Sequence, residues 1–508
     1  MPGEQEDKRV GSETHAGKPA TTGRRRLPRD PRRWIARLAR AASPGTRRQP
    51  DQVRGHWVLR HKWFLAVLAL GTVLRALAML GYRPALWFPD SYTYIVTVFK
   101  PRPDLVRPAG YSIFLKLLEP LHAFAAVTVV QHLLGLATGV LIYRAARKAP
   151  RWVATLATVP VLLDAYQVQL EHLLVSDTLF MFLVVAAVAL CTTRRPATVV
   201  AIGLLLATAT LTRTVGQPLI VVLAAWFVLR GRLRWTGLLV AAALVPILAY
   251  GAWFHATYQR VGLVGANGVF LYARTMSFAD CEKMDPPADL KVLCDPRPPD
   301  RRPPSQEYIW AKDSPLVLLP DITFSKENDD LAARFAMLAI TSQPLDYAAS
   351  VLEEFGRSFR WDRPIYPDAE IYGYYQFPGT APGPPGRYPA QVGAEYAKLY
   401  EQGAIGTEIV EPYAGWLRAY QSMVRLPGLV LLGLLLLPPA AALIRRRRGQ
   451  RLAGAPAWLV PWSVAVVLLV TPAAAAEFDY RYVLPAVPLA CLAAAQSIRP
   501  DLRGQSGS

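Results

Sequence analysis

The chain is punctuated by about ten stretches of some 12 to 20 residues that carry almost no charge. A hydrocarbon layer ~30 Å thick takes about 20 such residues per helix and offers no water to an unpaired backbone group, so the spanning solution is helical. With 52% apolar residues spread in these blocks, the 508 residues read as a count of helices and not of soluble domains. The expected fold is a polytopic α-helical membrane protein.

Basic clusters orient it. Residues 1–62, with Arg24-Arg25-Arg26 and Arg32-Arg33, hold no sustained apolar period and read as a disordered basic cytoplasmic tail. A cleaved signal peptide is not expected, because the first apolar run begins only near Trp63. Helices are predicted over 63–81, 123–143, 152–163, 173–191, 198–211, 218–229, 235–254, 426–444, 457–472 and 482–498. Arginine clusters follow the second (Arg144, Arg147, Arg151), the fourth (Arg194, Arg195), the sixth (Arg230, Arg232, Arg234) and the eighth (Arg445 to Arg448). The alternate gaps lack them, so about ten transmembrane helices with both termini cytoplasmic, in the plasma membrane, satisfy the positive-inside rule. The formal net charge of +20 is thereby explained by orientation, and nucleic acid is not an expected partner.

The domain plan follows. After the tail, 63–254 holds helices one to seven, with a first outer loop over 82–122. Residues 255–424 are polar and long enough for an α-rich extracytoplasmic domain, with helical patterns at 329–341, 345–359 and 411–424. Residues 425–498 hold helices eight to ten, and 499–508 form a short cytoplasmic tail. Cys281 and Cys294, on the oxidising side, favour a disulfide. Cys191 and Cys491 fall in apolar runs and read as small core residues. No Walker loop, dinucleotide fingerprint or zinc-ligand spacing stands out.

Ionisable residues beside a bilayer are costly and mark sites or pathways. Asp90, Arg107, Asp164, Glu171, His172, Asp177, Arg213, Asp479 and Arg481 all fall at the outer ends of helices in this topology. Asp90 lies in Phe88-Pro89-Asp90-Ser91-Tyr92-Thr93-Tyr94, an acid on an aromatic shelf, where a general base that deprotonates a hydroxyl is expected. Arg481, Arg213 and Arg107 are candidate phosphate ligands, since a guanidinium binds phosphate through two bonds at once. Tyr92, Tyr94, Glu171, His172 and Tyr482 are candidate substrate contacts. No cofactor is assigned, because no metal spacing is diagnostic; a divalent cation (Mg, Mn or Ca) held by Asp90 and Asp177 is the alternative.

Five short motifs in fixed order carry a resemblance. They are the acid after helix one, Arg107-Pro108-Ala109-Gly110-Tyr111, Ser176-Asp177-Thr178-Leu179-Phe180, Arg213 closing helix five, and Arg481-Tyr482-Val483-Leu484-Pro485. Over about residues 63–498 the chain resembles the GT-C membrane glycosyltransferases. Within them it is most similar to the polyprenyl-phosphate-sugar-dependent branch of protein O-mannosyltransferases, lipid A aminoarabinose transferases and actinobacterial arabinofuranosyl- and mannosyltransferases. The resemblance implies Asp90 as catalytic base and Arg481 on the donor phosphate. Two departures stand out: many relatives place a second acid beside the first, where this chain has Ser91, and often carry Glu where it has Asp177.

The expected activity is therefore inverting transfer of a sugar from a polyprenyl-phosphate donor to a hydroxyl of a glycan, lipid or protein acceptor, at the outer face among membrane lipids. The rival readings are a lipid or sugar transporter or flippase, and a non-enzymatic scaffold presenting residues 255–424. A transporter would place its polar groups near the midplane within repeated halves. Here no repeat is evident and the acids gather at one edge.

Overall fold

A computed structural model describes residues 50–191, 195–381, 383, 388–449 and 455–498. Residues 1–49 of the predicted tail over 1–62, and the predicted C-terminal tail over 499–508, lie outside them. Two compact units are distinguished, 1–60 and 61–508, and the description below concerns the second.

The architecture is almost wholly helical. Four helices are long and apolar enough to cross a membrane: Trp57–Gly81, Phe124–Ala145, Leu233–Tyr258 and Gly428–Arg447. A fifth span is reached if Arg151–Leu163 and Ala165–His172, bent by 50° at Asp164, are taken together. The bend has a local cause. Asp164 is extended (φ −63°, ψ 126°), and its carboxylate caps the following helix by accepting from the N–H groups of Tyr166 and Gln167. Asp177–Leu190, Pro196–Thr212, Thr214–Leu229 and Leu459–Ala475 are apolar but shorter.

Several expectations are corrected in detail. The first helix begins at Pro50, inside the segment expected as tail. The fourth predicted helix begins at Asp177 and not near residue 173, since Leu173 is drawn out into a bridge with Leu86. The last apolar run divides into Tyr480–Val483, Leu484–Ala486 and Val487–Ser497, with Pro485 and Pro488 at its joints.

The first loop is folded into two short helices, Pro89–Phe99 and Gly110–Leu118. Pro at the first helical position supplies a fixed φ and forfeits no bond. Apolar residues between 255 and 424 form their own cluster around Tyr272, Phe335 and Leu293, beside which Cys281 and Cys294 are joined as a disulfide. In the same stretch lie Lys326–Ser342, Pro344–Arg357, Tyr388–Glu401 and Tyr413–Met423. A two-residue strand, Glu408–Ile409, pairs antiparallel with Tyr82–Arg83, which ties this stretch to the end of the first helix.

Two glycines permit the close approaches that seat the first loop. A Cβ on Gly110 would stand 2.4 Å from the carbonyl oxygen of Leu211, and one on Gly393 would stand 2.4 Å from Cβ of Tyr92. Both contacts are with atoms that cannot swing aside. Gly110→Ala is expected to lower stability by about 1–3 kcal/mol, the usual cost of overpacking. Thermal unfolding of the purified variant in detergent checks this, and an unchanged midpoint would show that the helix is not pinned at Gly110.

Candidate active site

Asp90 is the second residue of the helix Pro89–Phe99, and the turn before it is fixed by its neighbours. Ser91 Oγ accepts from the N–H of Phe88 at 3.0 Å and donates to the carbonyl of Leu174 at 2.8 Å. Ser91 thus pins the turn at the place where a second acid was looked for. Helical spacing then divides the residues: Pro89, Thr93, Val96 and Thr97 face a cavity, while Ser91, Tyr92, Ile95 and Val98 are turned into packing contacts.

Arg107 comes from the second half of the same loop. Asp104 Oδ1 accepts from the N–H groups of Val106 and Arg107, both at 2.8 Å, and this turn aims Arg107 back at the helix. Its Nη2 donates to Asp90 Oδ1 at 2.5 Å. From the far end of the sequence Arg481 Nη1 donates to Asp90 Oδ2 at 3.0 Å. Arg481 is itself held by Asp479, whose Oδ2 accepts from its Nε at 3.1 Å and from the Tyr375 hydroxyl at 2.6 Å. Its guanidinium lies 4.3 Å from the ring of Phe88 and 5.3 Å from that of Tyr482. Each oxygen of buried Asp90 therefore carries a guanidinium.

These groups open onto a cavity of about 930 Å³. Of the residues singled out from the sequence, Asp90, Arg107, Asp479, Arg481 and Tyr482 line it. Others do not. Tyr92 stacks on Trp87 at 5.0 Å, and the Tyr94 hydroxyl pairs with Ser176 at 3.0 Å. Arg213 forms an ion pair with Asp177 at 2.5 Å, and lies 4.9 Å from the ring of Tyr482. Glu171 and His172 are fully buried among helices, where Glu171 meets Arg75 and His132.

A cation on Asp90 and Asp177 does not fit this arrangement, because both carboxylates already face guanidinium groups. Among the described residues no group of three or more His, Cys, Asp or Glu side chains is placed to hold a metal ion.

Glu477 and Arg274 line the same cavity and were not singled out. Glu477 accepts from the N–H groups of Ser305 and Gln306, each at 3.1 Å, and shares the Tyr366 hydroxyl with Glu354. Its place two residues before Asp479 was the available signal. Arg274 is buried within residues 255–424, and nothing local distinguishes it from the other arginines there.

The two acids of the cavity are shifted in opposite directions. Burial alone would raise Asp90, but the charges and hydrogen bonds of Arg107 and Arg481 outweigh it and hold the carboxyl well below the usual range. Burial and the nearby Glu354 push Glu477 up to about 7.

No family profile and no curated protein matches the chain. Among solved structures, it is similar to an oligosaccharyltransferase from Archaeoglobus fulgidus in the apo form, at 12% identity and a TM-score of 0.40, over 85% of this chain and 50% of that one. It is similar to ArnT from Cupriavidus metallidurans bound to undecaprenyl phosphate, at 14% identity and a TM-score of 0.34, over 86% of this chain and 78% of that one. The third is the S. cerevisiae protein O-mannosyltransferase Pmt1-Pmt2 complex bound to the sugar donor, at 17% identity and a TM-score of 0.32, over 42% and 36%. The chain thus matches about half of the oligosaccharyltransferase and about a third of the O-mannosyltransferase chain.

The opposite shifts predict opposite pH signatures. Asp90, lowered in the folded protein from an unfolded value of about 3.9, contributes stability that is present above about pH 4 and lost as pH falls through the folded value. Glu477, raised, contributes stability that is full below about pH 4 and lost as pH rises through about 7. Unfolding midpoints of Asp90→Asn and Glu477→Gln against the parent, across that range, should converge in acid for the first. For the second, the variant should gain on the parent as pH rises.

Proposed function

We propose that the protein is an inverting glycosyltransferase that takes a sugar from a polyprenyl-phosphate donor and attaches it to an acceptor hydroxyl at the outer face of the membrane. The observation that carries this reading is Asp90, gripped by Arg107 and Arg481 on the wall of a 930 Å³ cavity beside apolar helices. The proposed setting keeps about ten membrane helices, cytoplasmic termini, a plasma-membrane location and an outer domain over 255–424.

In the proposed reaction the acceptor oxygen attacks the anomeric carbon as the bond to the lipid phosphate breaks. The electron pair leaves with the phosphate, and the acceptor proton passes to Asp90. A single displacement inverts the anomeric centre. The transition state is oxocarbenium-like, so it needs a base at the nucleophile and cations at the departing oxygen.

Asp90 with both guanidinium partners is a weak base. The donor phosphate supplies the remedy, since it competes for the same two arginines. As they turn toward phosphate, Asp90 loses the charges that depress it and its basicity returns toward that of an ordinary carboxylate. Phosphate and base are thus coupled through Arg107 and Arg481, and the site is unmasked only when donor is present. Arg213, which lies 4.9 Å from the Tyr482 ring and does not line the cavity, pairs with Asp177 and is not proposed to touch phosphate directly.

Asp90→Asn is expected to lower transfer by about 10²–10⁴-fold, the range for a general base, with the protein still folded. Transfer from a radiolabelled polyprenyl-phosphate sugar by purified protein in lipid measures this. Near-parental transfer by a folded Asp90→Asn protein would remove Asp90 as the base. Movement of intact donor across the bilayer without bond cleavage would favour a transporter.

A further inference from the structure

A second polar cluster lies away from the cavity, inside the helical bundle. Arg75 of the first helix grips Glu171 with two bonds of 2.7 Å, and donates further to the carbonyls of Gly71 and Leu162 at 2.9 Å. His132 Nδ1 lies 3.1 Å from Glu171 Oε2, His132 Nε2 lies 3.0 Å from His172 Nδ1, and His172 Nε2 lies 2.6 Å from the carbonyl oxygen of Tyr82. Gln167 also donates to Glu171, at 3.1 Å. All four ionisable side chains are buried.

Three contacts run in series from a carboxylate to a carbonyl, and each needs one hydrogen. The carbonyl can only accept, and so can the carboxylate when ionised. Two neutral imidazoles bring two hydrogens between them. One contact would then set two lone pairs against each other, in a place where water cannot relieve them. A third hydrogen satisfies all three, whether it rests on His132, on His172 or on Glu171. Arg75 is the charged group facing the series from the first helix, and its bidentate pairing already balances Glu171.

The far end of the series reaches the strap that carries Asp90. The N–H of Leu86 donates to the carbonyl of His172 at 3.0 Å, and that of Leu174 donates to Leu86 at 3.1 Å. Gln131 donates to the carbonyls of Glu171 and Leu173 at 2.9 and 2.7 Å, while accepting from Tyr111 at 2.7 Å. Ser91, beside Asp90, hangs from the carbonyl of Leu174. Residues 171–174 are thus bonded on one side to the helix end at Tyr82 and on the other to the turn at Phe88–Ser91. Gly135 leaves no slack in this packing, since a Cβ there would stand 2.0 Å from Glu171 Oε1.

We propose that Arg75, Glu171, His132 and His172 form a proton-holding latch, which binds one proton beyond those of two neutral imidazoles and so fixes the strap that positions Asp90. His172 and Glu171 are positioning residues and do not touch substrate. The proton count stands on the cluster alone, whereas the consequence for transfer rests on Asp90 as the base.

Glu171→Gln would strand Arg75 and endanger folding, so the test uses the unmodified protein and His172→Gln, which keeps the Arg75–Glu171 pair. In ¹⁵N-histidine NMR and carboxyl infrared of the detergent-solubilised full chain at pH 7, either one ring with both nitrogens protonated or one buried protonated carboxyl is expected, and it should vanish in His172→Gln. Only neutral rings, with no protonated-carboxyl band lost between the unmodified protein and His172→Gln, would overturn the proton. In transfer assays His172→Gln should lose at least tenfold in kcat with donor KM within about twofold. The parental rate should fall as pH rises past the point where the latch proton leaves. A His172→Gln protein with parental kcat and pH profile, in a setting where Asp90→Asn is inactive, would overturn the latch. Should Asp90→Asn prove fully active, the reading of Asp90 falls instead, and the NMR signal still decides whether the proton is held.

Discussion

Asp90 is buried with a guanidinium on each oxygen, one from 17 residues along the chain and one from 391. A carboxylate stripped of water and given no partner is among the costlier things a protein can hold, and removing one partner of such a pair typically costs about 3–5 kcal/mol. Much of the site follows from meeting that cost. The first loop must fold back through Asp104 to deliver Arg107, and the last apolar run must break at its start to deliver Arg481. Asp479 and Tyr375 hold Arg481 in turn. The first loop and the last helical segment are therefore brought together by charge pairing, although no apolar periodicity links them.

The cavity end of this pairing is balanced as it stands, with Arg107 and Arg481 set against Asp90 and Asp479. Balance makes the resting site stable and the base weak. In the proposed reaction an anion that draws the arginines away would free Asp90 in the same motion, so that the stability of the resting state and the timing of proton transfer would be two aspects of one geometry. A site with a solvent-exposed aspartate would have a readier base, but it would lack that dependence on the donor.

The helical class, the main apolar runs and the Asp90 and Arg481 positions were legible in the sequence, because each is encoded locally: a run of apolar residues, an acid just past its end, an arginine just before the next. What was not legible was which acids and bases meet. Glu171 and Asp177 looked equivalent to Asp90, being acids at helix ends on the same side. The distinction lies in Leu173, which extends into a bridge with Leu86, and in helical phase, which turns Tyr92 and Tyr94 away from the cavity. Neither is visible to a pattern that sees one segment at a time. The bend at Asp164 was hidden for the related reason that a capping carboxylate and a charged site residue have the same appearance in sequence. Glu477 could have been suspected from its nearness to Asp479, but its raised pKa depends on burial and on Glu354, over a hundred residues away.

Three buried acids are each matched with an arginine from another helix or loop: Asp90 with Arg107 and Arg481, Asp177 with Arg213, and Glu171 with Arg75. If pairing with arginine were the mark of a phosphate site, all three would qualify. Only the first borders the cavity. Neither Asp177 with Arg213 nor Glu171 with Arg75 lines it, so an anion arriving in the cavity does not meet either arginine. An arginine–carboxylate pair becomes chemistry when one member can be traded for substrate, and remains scaffold when it cannot. In this chain the same pair of side chains serves both purposes, and the difference is made by the few residues that stand between the pair and open space.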